Sequence, residues 1–98
     1  MLRHVVLLTL SDDTPEGQPA LIKRELMRLP ALLPQIKRYE VGIDAGISDG
    51  NATIAVIGEF ENEADYRSYA SNAEHVRIIS EHIKPHAAAR SAVQYFVD

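Results

Sequence analysis

The stretch LRHVVLLTL, residues 2–10, alternates two sets of side chains along the chain. One set is Leu2, His4, Val6, Leu8 and Leu10, and the other is Arg3, Val5, Leu7 and Thr9. Such alternation is typical of a β-strand, because successive side chains point to opposite faces of a sheet. Both sets contain large apolar residues, Val5 and Leu7 in the second, so the pattern predicts a strand whose two faces are both covered.

The rest of the chain predicts two helical regions and three more strands. The residues DTPE at 13–16 indicate the start of the first helix, and Pro30 and Pro34 indicate its end. In chain order the later elements are strands at 37–45 and 52–60, a helix capped by Asn62 and running to Tyr69, a helix at 73–84 and a strand at 89–97. The helix at 73–84 is predicted to bury Val76, Ile79 and Ile83.

This order, β-α-β-β-α-β, predicts a single domain over residues 1–98 with an α+β, ferredoxin-like fold, in which helices cover one face of an antiparallel sheet. The first and third strands are nevertheless apolar on both faces. An exposed apolar sheet face is normally covered by another surface. The sequence therefore predicts a homodimer whose sheets pair face to face into a dimeric α/β barrel.

The composition argues against several functions. The net charge is −4 and the ten Lys and Arg residues are scattered, which is unlike the basic surface of a nucleic-acid-binding protein. Cysteine is absent, so neither disulfides nor thiolate chemistry is expected. No apolar run is long enough for a membrane span or a signal peptide, and no nucleotide-binding motif occurs. These features predict a cytoplasmic protein that needs no cofactor and binds neither nucleic acid nor membrane.

The stretch YASNAEHV, residues 69–76, contains a candidate acid–base pair. On one continuous helix Tyr69 and His75 would lie about 120° apart. A helix break at Ser71 and Asn72, with Asn72 capping the following helix, would turn both side chains toward the sheet. Histidine can then accept a proton, and tyrosine can donate one to a developing enolate oxygen. The structural alternative is that Tyr69 packs over the helix while His75 stays half exposed.

The remaining histidines and two arginines have simpler explanations. A histidine such as His4 on an apolar strand face is more often a hydrogen-bonded core residue than a ligand-binding one. His82 and His86 have the i, i+4 spacing of a helical zinc pair, but a proline between them disrupts the helix and no third ligand is evident. No metal site is therefore predicted. Arg77 and Arg90 could attract an anionic ligand, although surface arginines usually have no such role.

Three segments together resemble a known family, namely RHVVLLTL, LPALLPQIKRYEVG and YASNAEHV. The chain is similar over nearly its whole length to the stress-responsive dimeric α/β-barrel (Dabb) family. This resemblance implies ferredoxin-like subunits whose sheets pair into a barrel. One branch, similar to the plant olivetolic acid cyclase, folds a linear polyketide thioester into an aromatic acid without a cofactor. In its motif, Tyr69 and His75 match the acid and base, and His4 matches a histidine lining the same cavity.

The chain departs from that branch around the matched pair. Asn72 and Ala73 stand in place of a His-Pro step. Ile54 stands in place of a cavity histidine, and Gln94 replaces an acidic residue common in the last strand of the family. The substrate of the cyclase branch therefore does not carry over to this chain.

The first hypothesis is a homodimer that binds a hydrophobic, carbonyl-bearing small molecule between sheet and helices. It would catalyse a cofactor-free, cyclase-like or related proton-transfer step, with His75 as the base and Tyr69 as the acid. His4 and Asn72 are the predicted ligand-binding residues. A second hypothesis is a non-catalytic, stress-associated binding or assembly module, and a third is a cofactor-independent monooxygenase.

Overall fold

A computed structural model describes residues 1–97 of the chain. The elements are, in order, β1 Leu2–Leu10, α1 Gln18–Leu26, α2 Leu29–Leu32, β2 Arg38–Ile43, β3 Ile54–Phe60, α3 Glu63–Ser71, α4 Ala73–Ile78, a π-helical turn Ile79–Ile83 and β4 Ala87–Phe96. The strands form one antiparallel sheet in the order β2-β3-β1-β4. The predicted ferredoxin-like α+β fold is confirmed.

The two faces of β1 differ, as its alternating pattern predicts. Leu2, His4, Val6, Leu8 and Leu10 are buried on one face. On this side the core is completed by helix residues, among them Ile22, Leu26 and Ile78. The opposite face is open in the single subunit, where Leu7 of β1 is 44% exposed and Val93 of β4 is 55% exposed. The helices thus cover only one face of the sheet and leave apolar side chains on the other face exposed.

The first helix begins later than predicted. The amide of Thr14 donates to the carbonyl of Ser11, which closes a turn where the helix start was expected. The helix starts only at Gln18, with a proline, Pro19, in its first turn. Pro30 also does not simply end the helix, because it lies in the first turn of the short α2. Proline lacks an amide hydrogen and is therefore compatible with the first turn of any helix. For this reason the sequence alone does not show that Pro19 lies in the first turn of α1 and Pro30 in that of α2.

The predicted break between the two later helical pieces is confirmed. Asn62 caps α3 by accepting a hydrogen bond from the Asp65 amide. Asn72 has a non-helical backbone, with φ of −59° and ψ of 135°, and its side-chain oxygen accepts from the amides of Glu74 at 2.9 Å and His75 at 3.4 Å. Asn72 therefore ends one helix and starts the next.

The helical region after this break is not a uniform α-helix. The amide of Lys84 donates to the carbonyl of Ile79, an i→i+5 bond that defines the π-helical turn. The wider turn brings Ile78, which is fully buried, and Ile83 to the same side. The prediction that Val76 is buried is wrong, since its side chain is 46% exposed in the subunit. The α-helical period assumed for 73–84 does not hold through the π-helical turn.

Phe60 lies at the end of β3 and is completely buried. Its ring centroid lies 5.7 Å from that of Tyr66 and 5.1 Å from that of Tyr69, both on α3. Gly58 leaves space for the Phe60 ring, because a Cβ atom there would lie 3.2 Å from that ring. This aromatic cluster fixes α3 against the sheet.

None of the helices formed by residues 1–97 is both long and apolar enough to cross a membrane.

Candidate functional site

A partly open cavity of about 380 Å³ lies between the sheet and the helical layer. Most of its lining is apolar, contributed by β1, α1, β3, α3, the π-helical turn and β4. The polar and charged side chains in the lining are His4, Tyr66, Tyr69, His75, Lys84 and Arg90. An apolar cavity with a few converging polar groups is the usual form of a small-molecule site. The structure therefore brings three of the predicted site residues, His4, Tyr69 and His75, to one cavity.

His75 is held in the first turn of α4 by the helix break. Its Nδ1 lies 3.1 Å from the carbonyl oxygen of Ala70. A carbonyl oxygen only accepts hydrogen bonds, so Nδ1 carries the proton and Nε2 keeps a free electron pair. Burial lowers the pKa of His75, although the hydrogen bond to Ala70 opposes this shift. His75 is thus neutral at physiological pH, with Nε2 as its basic atom.

Tyr69 contacts His75 through its ring and not through its hydroxyl. The two ring centroids are 4.2 Å apart. The Tyr69 hydroxyl lies 2.8 Å from the hydroxyl of Tyr39 and forms its hydrogen bond there. Burial raises the pKa of Tyr69 to about 12, so the hydroxyl remains protonated at physiological pH. The residues predicted as acid and base are neighbours, but no direct hydrogen bond joins them among residues 1–97.

His4 has the opposite tautomer to His75. The side-chain amide nitrogen of Gln94 lies 3.0 Å from Nδ1 of His4. An amide NH₂ group only donates, so Nδ1 of His4 accepts and Nε2 carries the proton. Burial, followed by the charges of Arg90 and His75, lowers the pKa of His4 to about 4. His4 therefore offers an N–H donor where His75 offers an acceptor.

Both Nε2 atoms remain open to a ligand. Neither His4 nor His75 uses Nε2 in a hydrogen bond with any of residues 1–97. Over the same residues, no fully buried side-chain nitrogen or oxygen lacks a hydrogen-bond partner. It follows that each Nε2 retains accessible surface.

Asn72 does not line the cavity. Its side-chain oxygen is occupied by the amides of Glu74 and His75, so it orients His75 from outside. The sequence also left Tyr39 and Gln94 without a role at the site. Gln94 reaches His4 through the β1–β4 pairing, and Tyr39 reaches Tyr69 across the contact between β2 and α3. No local pattern predicts either contact.

Two further candidates lie outside the cavity. Arg77 is paired with carboxylates, at 3.2 Å from Glu25 and 2.8 Å from Glu81, and is not free for a ligand. His82 lies 3.9 Å from Glu25. Residues 1–97 contain no group of three or more histidine, cysteine, aspartate or glutamate side chains placed to hold a metal ion.

Lowering the pH should destabilise the protein through His4. The unfolded chain protonates this residue near pH 6.5, whereas the folded protein does so only near 4. Stability from the neutral imidazole is thus complete above about pH 6.5 and is lost as the pH falls toward 4. The expected loss is on the order of 3 kcal/mol, since His4 is only 5% exposed. Urea unfolding at a series of pH values measures it.

The matched variants for this measurement are His4→Gln and His86→Gln. We expect His4→Gln to flatten the pH dependence, because it removes the buried titrating group. His86 lies outside the cavity lining, so His86→Gln should retain the wild-type slope. If the free energy of unfolding depended equally on pH in both variants, His4 would not be the group responsible for the loss of stability.

Known structures share this fold. A dimeric ferredoxin-like protein of unknown function from Thermobifida fusca YX is 31% identical, with a TM-score of 0.89, over 98% of this chain and 90% of that chain. A dimeric protein of unknown function with a ferredoxin-like fold from Bacteroides fragilis NCTC 9343 is 30% identical, with a TM-score of 0.82, over 96% of this chain and 93% of that chain. The hydroxynitrile lyase from Passiflora edulis is 19% identical, with a TM-score of 0.83, over 99% of this chain and 93% of that chain.

The family comparison covers nearly the whole chain. No curated protein matches the sequence. The model of the stress responsive A/B barrel domain, in contrast, matches residues 2–97. The resemblance predicted from the three sequence segments is confirmed: this chain belongs to the stress responsive A/B barrel domain (Dabb) family.

Proposed function

We propose that the protein is a homodimer in which each subunit binds a hydrophobic, carbonyl-bearing small molecule. Each subunit would then remove a proton from the carbon next to the carbonyl of that molecule, without a cofactor. The observation that carries this proposal is the pair of neutral imidazoles with opposite tautomers in one apolar cavity. Nε2 of His75 is a base, and Nε2–H of His4 is a donor. Proton abstraction next to a carbonyl requires both kinds of group.

In the proposed step, Nε2 of His75 takes a proton from the carbon next to the carbonyl. The electron pair of the broken C–H bond moves toward the carbonyl oxygen and forms an enolate. His4 donates a hydrogen bond to this oxygen through Nε2–H, which stabilises the developing charge. In an isomerisation, His75 returns the proton to a different carbon of the conjugated enolate. In a cyclisation, the enolate carbon attacks a second carbonyl of the same molecule, and the alkoxide formed from that carbonyl takes the proton from His75.

Tyr69 supports this step as a hydroxyl donor. When the Tyr39 hydroxyl donates to Tyr69, the proton of Tyr69 is free to point to a ligand oxygen. Burial raises the pKa of both tyrosines, so both hydroxyls keep their protons at physiological pH. We propose that Tyr69 is the second donor to the enolate, and that Asn72 acts only by orienting His75.

The test is deuterium exchange of acetophenone, an apolar ketone with exchangeable methyl protons. In D₂O, the protein should accelerate loss of the methyl signal in the proton NMR spectrum above the buffer rate. Saturable binding without accelerated exchange would instead favour the non-catalytic binding module. The hydroxynitrile lyase from Passiflora edulis, which has the same fold, is compatible with the catalytic alternative.

The homodimer rests on the open face of the sheet. The apolar residues Val5, Leu7, Ile57 and Val93 lie there without a helical cover. All residues of β4 are exposed in the single subunit, which leaves a long unprotected sheet edge. The similar proteins from Thermobifida fusca and Bacteroides fragilis are dimeric. We propose that two copies pack these faces together.

A charge placed on this face should separate the subunits. Leu7→Glu would bring two carboxylates into an apolar interface related by two-fold symmetry, where both would lose hydration. The expected result is a monomer by light scattering at micromolar concentration, where the unmodified protein is a dimer. Ile47→Glu is the control, because Ile47 is 87% exposed and lies in the β2–β3 connection. A monomeric unmodified protein, or a dimeric Leu7→Glu variant, would contradict the proposed packing.

A further inference from the structure

The cavity has an unbalanced positive charge. Lys84 and Arg90 both line it, whereas no aspartate or glutamate does. This is unexpected in a chain whose net charge is −4. The cationic lining is thus a local feature and does not follow from the overall charge.

Arg90 lies on the cavity side of the sheet. It is opposite Leu8 in the β1–β4 pairing, and directly opposed residues share a face. Within residues 1–97 Arg90 forms no ion pair, in contrast to Arg3 and Arg38, which both bind Glu59. The guanidinium also lies close enough to lower the pKa values of His4 and Tyr69 through its charge.

Arg90 is exposed in the single subunit, and a cation without a carboxylate partner beside an apolar wall attracts an anionic ligand group. Charge interactions are stronger beside low-dielectric surfaces than in water. Arginine is also well suited to bind a planar carboxylate through two parallel hydrogen bonds. The neighbouring apolar side chains, including Ile79 and Ile83, would contact a hydrocarbon body and not a strongly hydrated ion.

We propose that the natural ligand is an amphipathic carboxylate whose anionic end binds Arg90, with Lys84 as a second cation. This inference rests on the proposed cavity function and adds the charge of the ligand to it. The apolar body lies along Ile79 and Ile83, and the reactive carbonyl lies between His4 and His75. Arg90 is therefore a specificity-determining residue and takes no part in the proton transfer itself.

The test compares decanoate with decanamide by isothermal titration calorimetry at neutral pH. The two probes have the same length and differ in charge. We expect decanoate to bind about ten- to a hundredfold more tightly, and this preference should weaken at high salt. In Arg90→Gln the preference should fall by about tenfold or more. Arg24→Gln removes one cation from α1 outside the cavity and should leave the preference unchanged.

The other outcomes separate the two proposals. Equal binding of decanoate and decanamide would overturn the anion site while leaving the cavity as a small-molecule site. A carboxylate preference that persists in Arg90→Gln would overturn the role of Arg90. Failure of both probes to bind would overturn the anion site together with the proposed cavity function.

Discussion

Replacing His75 with asparagine is expected to slow the exchange of acetophenone protons by about a hundred- to ten-thousandfold, which is the usual contribution of a general base. Asparagine keeps an N–H group near the position of Nδ1, so the hydrogen bond to Ala70 can persist. It lacks an equivalent of Nε2, which is the proposed proton acceptor. The exchange rate is measured by proton NMR in D₂O, with the rate in buffer alone subtracted.

His82→Asn is the matched control for this experiment. The substitution is chemically the same, but His82 lies outside the cavity lining, near Glu25 and Glu81. Its exchange rate should equal that of the unmodified protein. Acetophenone binding should be similar in both variants, because the base acts on the bound molecule. Unchanged exchange in His75→Asn would refute the proposed base.

Replacing Phe60 with alanine is expected to lower the free energy of unfolding by about 3–5 kcal/mol. Phe60 is completely buried, and its removal would leave a cavity beside Tyr66 and Tyr69. This loss is a large part of the roughly 5–15 kcal/mol that stabilises a typical domain. Urea denaturation followed by circular dichroism, at one fixed protein concentration, measures the difference.

Leu32→Ala is the control for the stability experiment. It also truncates a large apolar side chain, but Leu32 lies on α2, in the helical layer, and is 53% exposed. Its replacement should cost less than about 1 kcal/mol. A similar loss in the two variants would show that the aromatic cluster around Phe60 does not dominate the core.

Local sequence patterns predict the strands of this protein well. The alternation in 2–10 specifies which side chains of β1 enter the core, and the short polar side chain of Asn72 specifies the helix break. Both features depend only on residues that are close together in the sequence, so they can be predicted from the sequence itself. The start of α1 was harder to predict from the sequence. Both the DTPE residues at 13–16 and the later Gly17-Gln18-Pro19 are compatible with a helix start.

The chemistry of the site depends on contacts that sequence patterns do not contain. The proton on His4 is determined by Gln94, which lies far away in the sequence and reaches it only through strand register. The Tyr39–Tyr69 hydrogen bond likewise joins a strand to a helix. The residues predicted at 4, 69 and 75 do meet in one cavity, yet their hydrogen bonds could be assigned only from three-dimensional structure.

The π-helical turn at Ile79–Ile83 bears on how this cavity can diverge among relatives. A π-helical turn is equivalent to an α-helix with one inserted residue. Deleting one residue there would return the turn to α-helical geometry and change which side chains of Ile79–Ile83 face the cavity. The residues on either side of the turn, including His75 and Lys84, would keep their orientation, and the sheet would stay in place. A single-codon insertion or deletion could thus change ligand preference without any change to the proposed base.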